Sequence, residues 1–350
     1  MTVETLDLDD PRPTEIVVEI AGSGICHTDL SVRDGAWPYP LPAVLGHEGA
    51  GTVMAIGSAV DAVSVGDRVV LSFGFCGSCP GCLSGNPASC PDAPMINLRG
   101  TRADGSVTLS HDGAPVHGLF NSQSSFATHL LTEQRFATRL PDGIPLELAG
   151  TLGCGIPTGA GAVLNVLASR PGSTVAIIGL GAVGLAAVAA ARFSGCSRII
   201  GVDLNPGRFE LARAFGATDV IDAGRDDTVA TIHQLVAGGV DGAIEASGAK
   251  PALNNAFLST KPTGTTVLVG AAPIGTHYEI DSVALLSGRT LRGCTMGSAN
   301  PRVLIPQLAR MWQQGLLPIE KMSTTFKLSA IEQALAAAAD GSVVKPVLIP

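Results

Sequence analysis

The chain is predicted to be an α/β protein in which a doubly wound parallel sheet is joined to a second, β-rich domain. Three observations predict it. Short β-branched segments between glycine and proline turns fill the first 155 or so residues; a strand, a glycine turn and a helix follow one another over 174–192; and strands then alternate with helices to about residue 295. At 350 residues the chain exceeds one ordinary domain and can bury a sizeable core. Hydrophobic residues make up 46% and charged ones 15%, the composition of a folded globular protein rather than a disordered one.

Charge and patterning exclude several classes of function. A net charge of −8 offers no electrostatic footprint for nucleic acid or an anionic membrane. No apolar run reaches the ~18 residues of a membrane span, and the N-terminal segment is acidic where a signal segment is basic. A cytoplasmic protein without nucleic-acid or membrane partners is therefore expected. In a reducing compartment eight cysteines read as metal ligands or free thiols rather than disulfides.

In chain order, residues 15–20, 51–56 and 67–71 are short β-branched strands of the first domain. Between the first two lies a loop with three prolines, Pro38, Pro40 and Pro42, whose fixed backbone suits the wall of a pocket. Here too stands Gly46-His47-Glu48-Gly49-Ala50-Gly51, a histidine and a carboxylate hemmed by glycines. Zinc accepts imidazole nitrogen and thiolate sulfur, and a catalytic zinc keeps one position open. Cys26, in Gly24-Ile25-Cys26-His27-Thr28-Asp29, and Cys154, in Gly153-Cys154-Gly155, are suitable sulfur donors to accompany His47, although spacing alone does not assign them. Cys76, Cys79, Cys82 and Cys90 form a separate set. Four thiolates separated by tight glycine and proline turns can converge on one metal with no open position, which is a structural site.

The texture changes near residue 156. A buried strand at 174–178 runs into Gly179-Leu180-Gly181-Ala182-Val183-Gly184 and an alanine-rich helix, and a second strand ends at Asp203. The first glycine makes the turn, the second lets backbone approach a pyrophosphate at a helix N-terminus, and the third lets helix and strand pack. Asp203, about 20 residues on, is placed to accept from ribose hydroxyls and to repel a 2′-phosphate. Strands at 241–246, 265–270 and 289–294 continue the sheet. Helices at 301–314 and 329–340 and a strand at 346–349 are expected to return to the first domain. Cys196 and Cys294 have no partner in this pattern and read as inert.

Taken together, the segments 24–29, 46–51, 76–90, 153–155 and 179–184 resemble the motifs of the zinc-dependent alcohol dehydrogenases of the medium-chain dehydrogenase/reductase superfamily, over nearly the whole length of the chain. Residues 123–128 and 152–165 are similar to the aryl-alcohol (benzyl alcohol) branch. The resemblance implies a Rossmann domain at 156–295. It also implies a GroES-like catalytic domain made of 1–155 and 296–350, with a structural zinc lobe at 76–90. Two zinc ions per chain follow, one on Cys26, His47 and Cys154, the other on Cys76, Cys79, Cys82 and Cys90. Glu48 would sit behind the catalytic metal, Asp29 would orient His47, and Thr28 would bond the substrate oxygen and start a proton relay.

For the cofactor, NAD, the resemblance implies contacts from Gly179, Gly181, Ala182, Val183, Gly184, Asp203, Thr158 and Val269. Arg208 is implied at the adenosine ribose, and His27 and Lys345 at the pyrophosphate. Trp37, Phe73 and Phe120 would line the substrate pocket. The implied activity is reversible oxidation of an aromatic or bulky allylic primary alcohol to its aldehyde, by hydride transfer from a zinc-bound alkoxide to NAD, in a homodimer or homotetramer. Thiol-dependent formaldehyde oxidation is the alternative within the superfamily. A non-catalytic nucleotide-binding zinc protein is a third reading, against which an open zinc position argues. Two departures stand out. The family usually has a further strand before the segment equivalent to Val3-Glu4-Thr5-Leu6, which puts the edge of the N-terminal sheet in question. Ser31 stands where many relatives end the relay in a histidine, so the proton passes either to water beyond Ser31 or to His27.

Overall fold

In a computed structural model describing all 350 residues, the first unit is built on one long strand. Its strands in chain order are β1 (Asp7–Leu8), β2 (Glu15–Gly24), β3 (Gly49–Ile56), β4 (Arg68–Leu71), β5 (Leu109–His111), β6 (Ala114–Val116), β7 (His129–Glu133) and β8 (Ala137–Arg139). The period-two alternation of Ile16, Val18 and Ile20 puts all three on the buried face of β2, where they pack with Val53, Val69, Leu71 and Leu130. Each such burial contributes roughly 1.5–3 kcal/mol. Helix α1 (His27–Arg33) follows β2 directly.

At Cys154 the chain passes into a second unit, residues 155–299 and 314–321. Its strands β9 (Thr174–Ile178), β10 (Arg198–Asp203), β11 (Asp219–Asp222), β12 (Val240–Glu245), β13 (Thr260–Leu268) and β14 (Thr290–Gly293) form one parallel sheet in the order β11-β10-β9-β12-β13-β14. The order reverses between β9 and β12. In sheets of this kind ligands bind outside the carboxyl ends of the strands at that switch point. Ala176, Ile178, Ile200, Val202 and Ala243 are buried together in one cluster, and the alternating Val175, Ile177, Ile199 and Ile244 are buried as well, which is why these strands read as continuous apolar runs.

The chain then returns to the first unit with the helix Pro301–Gln313, β15 (Ser323–Lys327), the helix Ile331–Ala339 and β16 (Lys345–Ile349). The first unit's main sheet runs β15-β16-β2-β3-β4-β8. One edge of β2 is shared, with β7 pairing at Glu15–Glu19 and β16 at Ser23 and Gly24. β7 has no second neighbour, and β1 joins the hairpin β5–β6 in a separate three-stranded sheet. The expected boundary near 296 lies at Ala299/Asn300, and residues 314–321, expected in the first unit, belong to the second. No single helix is long and apolar enough to cross a membrane.

Candidate active site

Asp29 organises the centre of the first unit. It lies in the first turn of α1 with no exposed surface, and its Oδ2 accepts the Cys26 N–H at 2.9 Å. Its Oδ1 accepts the Gly46 N–H at 3.2 Å and bonds His47 Nδ1 at 2.9 Å. One carboxylate therefore caps α1, pins the turn before β3 and selects the His47 tautomer that leaves Nε2 free to bind. Cys154 arrives from the turn Gly150–Gly153. The ligand atoms of Cys26, His47, Glu48 and Cys154 all lie within 4.8 Å of one another. That spacing lets one ion reach them at metal–sulfur and metal–nitrogen lengths of ~2.3 and ~2.0 Å.

The electrostatics separate Glu48 from the other three. Lys345, the first residue of β16, is buried and sends its Nζ to Glu48 Oε1 and Oε2 at 3.0 and 2.9 Å and to the Ile25 carbonyl at 3.0 Å. Burial lifts the Glu48 carboxyl to about 7 while Lys345 draws it down, and Glu48 in turn holds the lysine charged against its own burial. With both carboxylate oxygens on the ammonium, the remaining donors are two sulfurs and one imidazole. This is a set that suits zinc with a position left for substrate. The Cys154 thiol bonds Cys26 and holds it well below the ordinary thiol range, while Cys154 itself is raised by that neighbour and by burial. Burial pushes the His47 imidazole down, but the Asp29 and Cys26 charges beside it set it well above its usual value. Lys345, expected at the cofactor pyrophosphate, thus has its ammonium held on Glu48 inside the first unit.

On α1, Thr28 is half-buried with its Oγ1 3.8 Å from Cys26 Sγ, Ser31 lies one turn further along, and His27 is exposed. The three expected pocket aromatics part company. Phe120 has no exposed surface; its ring packs edge-on against His47 (centroids 5.5 Å apart) and Tyr39 (5.1 Å), so it supports a ligand rather than walls a pocket. Phe73 is likewise buried, against Phe75 at 5.7 Å. Trp37 is half-buried on the core that contains Ile25 and Leu348.

The second ligand set is local. Ligand atoms of Cys76, Cys79, Cys82 and Cys90 lie within 4.8 Å of one another, and all eight cysteines of the chain are free of disulfides. Cys79 Sγ is 3.5 Å from Cys82 Sγ, and Cys76 Sγ 3.9 Å from the same atom. A tetrahedron with ~2.3 Å zinc–sulfur bonds has edges of about 3.8 Å, so these spacings fit a closed zinc site. Backbone N–H groups of Ser78 and Cys79 draw the Cys76 thiol down to about 6, as metal ligation requires.

In the second unit, Gly179 follows β9 at φ 95°, and Gly181 caps the helix Ala182–Phe193. A Cβ on Gly181 would meet nothing within 4 Å, which leaves an open cradle at the helix N-terminus that fits a pyrophosphate. Ala182, Val183 and Gly184 form its first turn. Asp203, at the end of β10, accepts the Leu180 N–H at 2.6 Å and the Asn205 N–H at 2.8 Å, and Arg208 Nη1 reaches it at 3.2 Å. Arg208 Nε is buried without a partner. Thr158 is half-buried on the helix Gly155–Gly161, and Val269 follows β13 with its N–H on the Glu245 carbonyl at 2.9 Å.

Residues 12–142 match the alcohol dehydrogenase GroES-like domain and residues 182–313 the zinc-binding dehydrogenase family. A geraniol dehydrogenase of Castellaniella defragrans is 40% identical over 352 residues, covering 100% of this chain and 94% of its own. An alcohol dehydrogenase zinc-binding domain protein from Burkholderia ambifaria superposes with a TM-score of 0.96 at 44% identity, covering 99% of this chain and 94% of the other. The benzyl alcohol dehydrogenase of Acinetobacter calcoaceticus superposes with a TM-score of 0.94 at 41% identity, covering 98% and 94%.

Proposed function

The chain belongs to the zinc-dependent alcohol dehydrogenases of the medium-chain superfamily, and from that premise we propose that it reversibly oxidises an aromatic or bulky allylic primary alcohol to its aldehyde, with NAD as the hydride acceptor. The observation that carries the reading is the cluster of Cys26, His47 and Cys154, from which Lys345 withholds the Glu48 carboxylate. When bound there, zinc supplies the Lewis acidity that lowers the pKa of an alcohol hydroxyl, and the nicotinamide supplies the hydride acceptor.

The chain's own residues hold that chemistry in place. Asp29 keeps the His47 ring in one tautomer and one orientation. The Thr28 hydroxyl takes the substrate proton only by handing on its own, because at neutral pH a hydroxyl is a relay and not a reservoir. Ser31 extends the relay along α1 but cannot retain a proton, which leaves water or the exposed His27 as acceptor. Asp203 receives ribose hydroxyls and disfavours a 2′-phosphate by like-charge repulsion; Arg208 beside it softens that discrimination.

The substrate class rests on two relatives, a geraniol and a benzyl alcohol dehydrogenase, each similar over nearly the whole chain. Burial of a ring or a long allylic chain gains ~25 cal/mol per Å² of apolar surface, which ethanol cannot match. The test is a panel of benzyl alcohol, geraniol and ethanol with NAD and with NADP, reduction being followed optically. Efficiency with the two bulky alcohols should far exceed that with ethanol, and NAD should be favoured at least tenfold, which is only about 1.4 kcal/mol. Ethanol as the best substrate would overturn the substrate class. Equal efficiency with both cofactors would overturn the role of Asp203.

A further inference from the structure

Residues 119–126 carry none of the ligands, yet they lie along the segment that carries His47. The Ser125 N–H donates to the Gly46 carbonyl at 2.9 Å, the Phe126 N–H to the Leu45 carbonyl at 3.0 Å, and Ser124 Oγ to the Val44 carbonyl at 2.6 Å. A Cβ on Gly49 would stand 2.7 Å from Ser125 Cβ, so the two segments touch at backbone distance. Leu119, Asn121, Ser122 and Ser124 all have positive φ, between 47° and 65°. L residues adopt that region in such density only where the surrounding structure imposes it, and such strain gathers at functional sites.

What this strained segment presents to His47 is the Phe120 ring and the amide of Gln123. Gln123 is 1% exposed. Its Oε1 accepts the Gly49 N–H at 3.0 Å, and its Nε2 donates to the His47 carbonyl at 2.8 Å. The backbone partners decide which end is which: a backbone N–H can only donate and a carbonyl can only accept. We propose that Gln123 is a positioning residue for the metal site, its amide clasping the backbone on both sides of Glu48 and so setting where the His47 imidazole stands. The inference rests on the reading that Cys26, His47 and Cys154 hold the catalytic metal. Asp29 governs the rotation of the ring; Gln123 governs the main chain from which the ring projects. Without the clasp, two buried backbone groups lose their partner and the turn must shift to find others.

The experiment is a zinc titration against a competing chelator for the wild type, Gln123→Met and Gln123→Glu, with the four-cysteine site as internal reference and the melting temperature recorded alongside. Gln123→Met keeps the length of the side chain and removes both bonds. It should weaken metal binding at the three-ligand site by about 10–100-fold, the range for removal of a group that orients a ligand, and leave the four-cysteine site unchanged. Gln123→Glu keeps the acceptor for Gly49 but, when ionised, sets a carboxylate oxygen against the His47 carbonyl where the donor stood. It should weaken the three-ligand site at least as much as Gln123→Met, and it decides the matter if Gln123→Met does not fold. Wild-type affinity at the three-ligand site in both variants, even with a lower melting temperature, would make the clasp merely structural and overturn the inference. A wild type that binds zinc only at the four cysteines would overturn the function reading itself, and the inference with it.

Discussion

The two ligand clusters of the first unit use the same element of chemistry and are assembled in opposite ways. Cys76, Cys79, Cys82 and Cys90 lie within fourteen residues of one another along the chain, and backbone N–H groups of the same segment donate to their sulfurs. Four sulfurs leave no position for a substrate, so a metal held there could only hold the lobe together. Cys26, His47 and Cys154 come from three distant segments, and the surrounding fold supplies what they lack. Asp29 fixes the imidazole, Gln123 the main chain, and Lys345, 297 residues from Glu48, removes a competing carboxylate. The comparison teaches that a closed site is a local folding device, whereas an open site needs a finished tertiary structure to stop it from closing.

The largest expected effect separates the two directly. Cys154→Ala should abolish turnover and reduce bound zinc by one while the melting temperature changes little. Cys79→Ala should release the other zinc and lower stability or assembly. Metal analysis, activity and thermal unfolding on both variants check the pair, and a single zinc per active wild-type chain would break the comparison. Next in size is Thr28→Ala, which should lose about 10²-fold or more in kcat, the lower end for a positioned proton-transfer group. Activity close to wild type would show that the proton leaves by another route.

Lys345→Met sharpens the comparison through stability. It leaves a buried Glu48 without its counter-ion and should destabilise the fold by about 3–5 kcal/mol, with Glu48→Gln in the same chain restoring part of the loss. Denaturant unfolding of the single and double variants reads this out. No recovery in the double variant would mean that the lysine acts elsewhere.

The smallest effect concerns the end of the relay. Ser31→His should raise alcohol oxidation by roughly a few-fold, mainly below about pH 7, because a histidine with a reference pKa of ~6.5 can hold the proton that serine can only pass on. Hydride transfer or product release caps the gain. Comparing the pH profiles of wild type, Ser31→His and His27→Gln tests it. Identical profiles would exclude both positions from the relay.

Whatever depends on neighbours along the chain could be read from the amino-acid sequence alone. The spacing of Cys76, Cys79, Cys82 and Cys90 specifies a site because tight turns bring nearby residues together without help. Gly179, Gly181 and Asp203 specify a dinucleotide turn because one strand–turn–helix unit contains nearly all of it. The buried strands β9, β10 and β12 stand out as apolar runs, while the short polar strands β5, β6 and β15 do not. Tertiary structure alone decided the rest. It set Lys345 on Glu48, a pairing that nothing in the spacing indicates, and it buried the Phe120 ring behind His47, where the sequence suggested a pocket wall. It gave Gln123 a task that no local pattern announces, and it returned residues 314–321 to the second unit. The physical reason is common to all of these: a buried charge, a buried ring or a buried amide takes the partner that the packed fold places beside it, and separation along the chain carries no information about which partner that is.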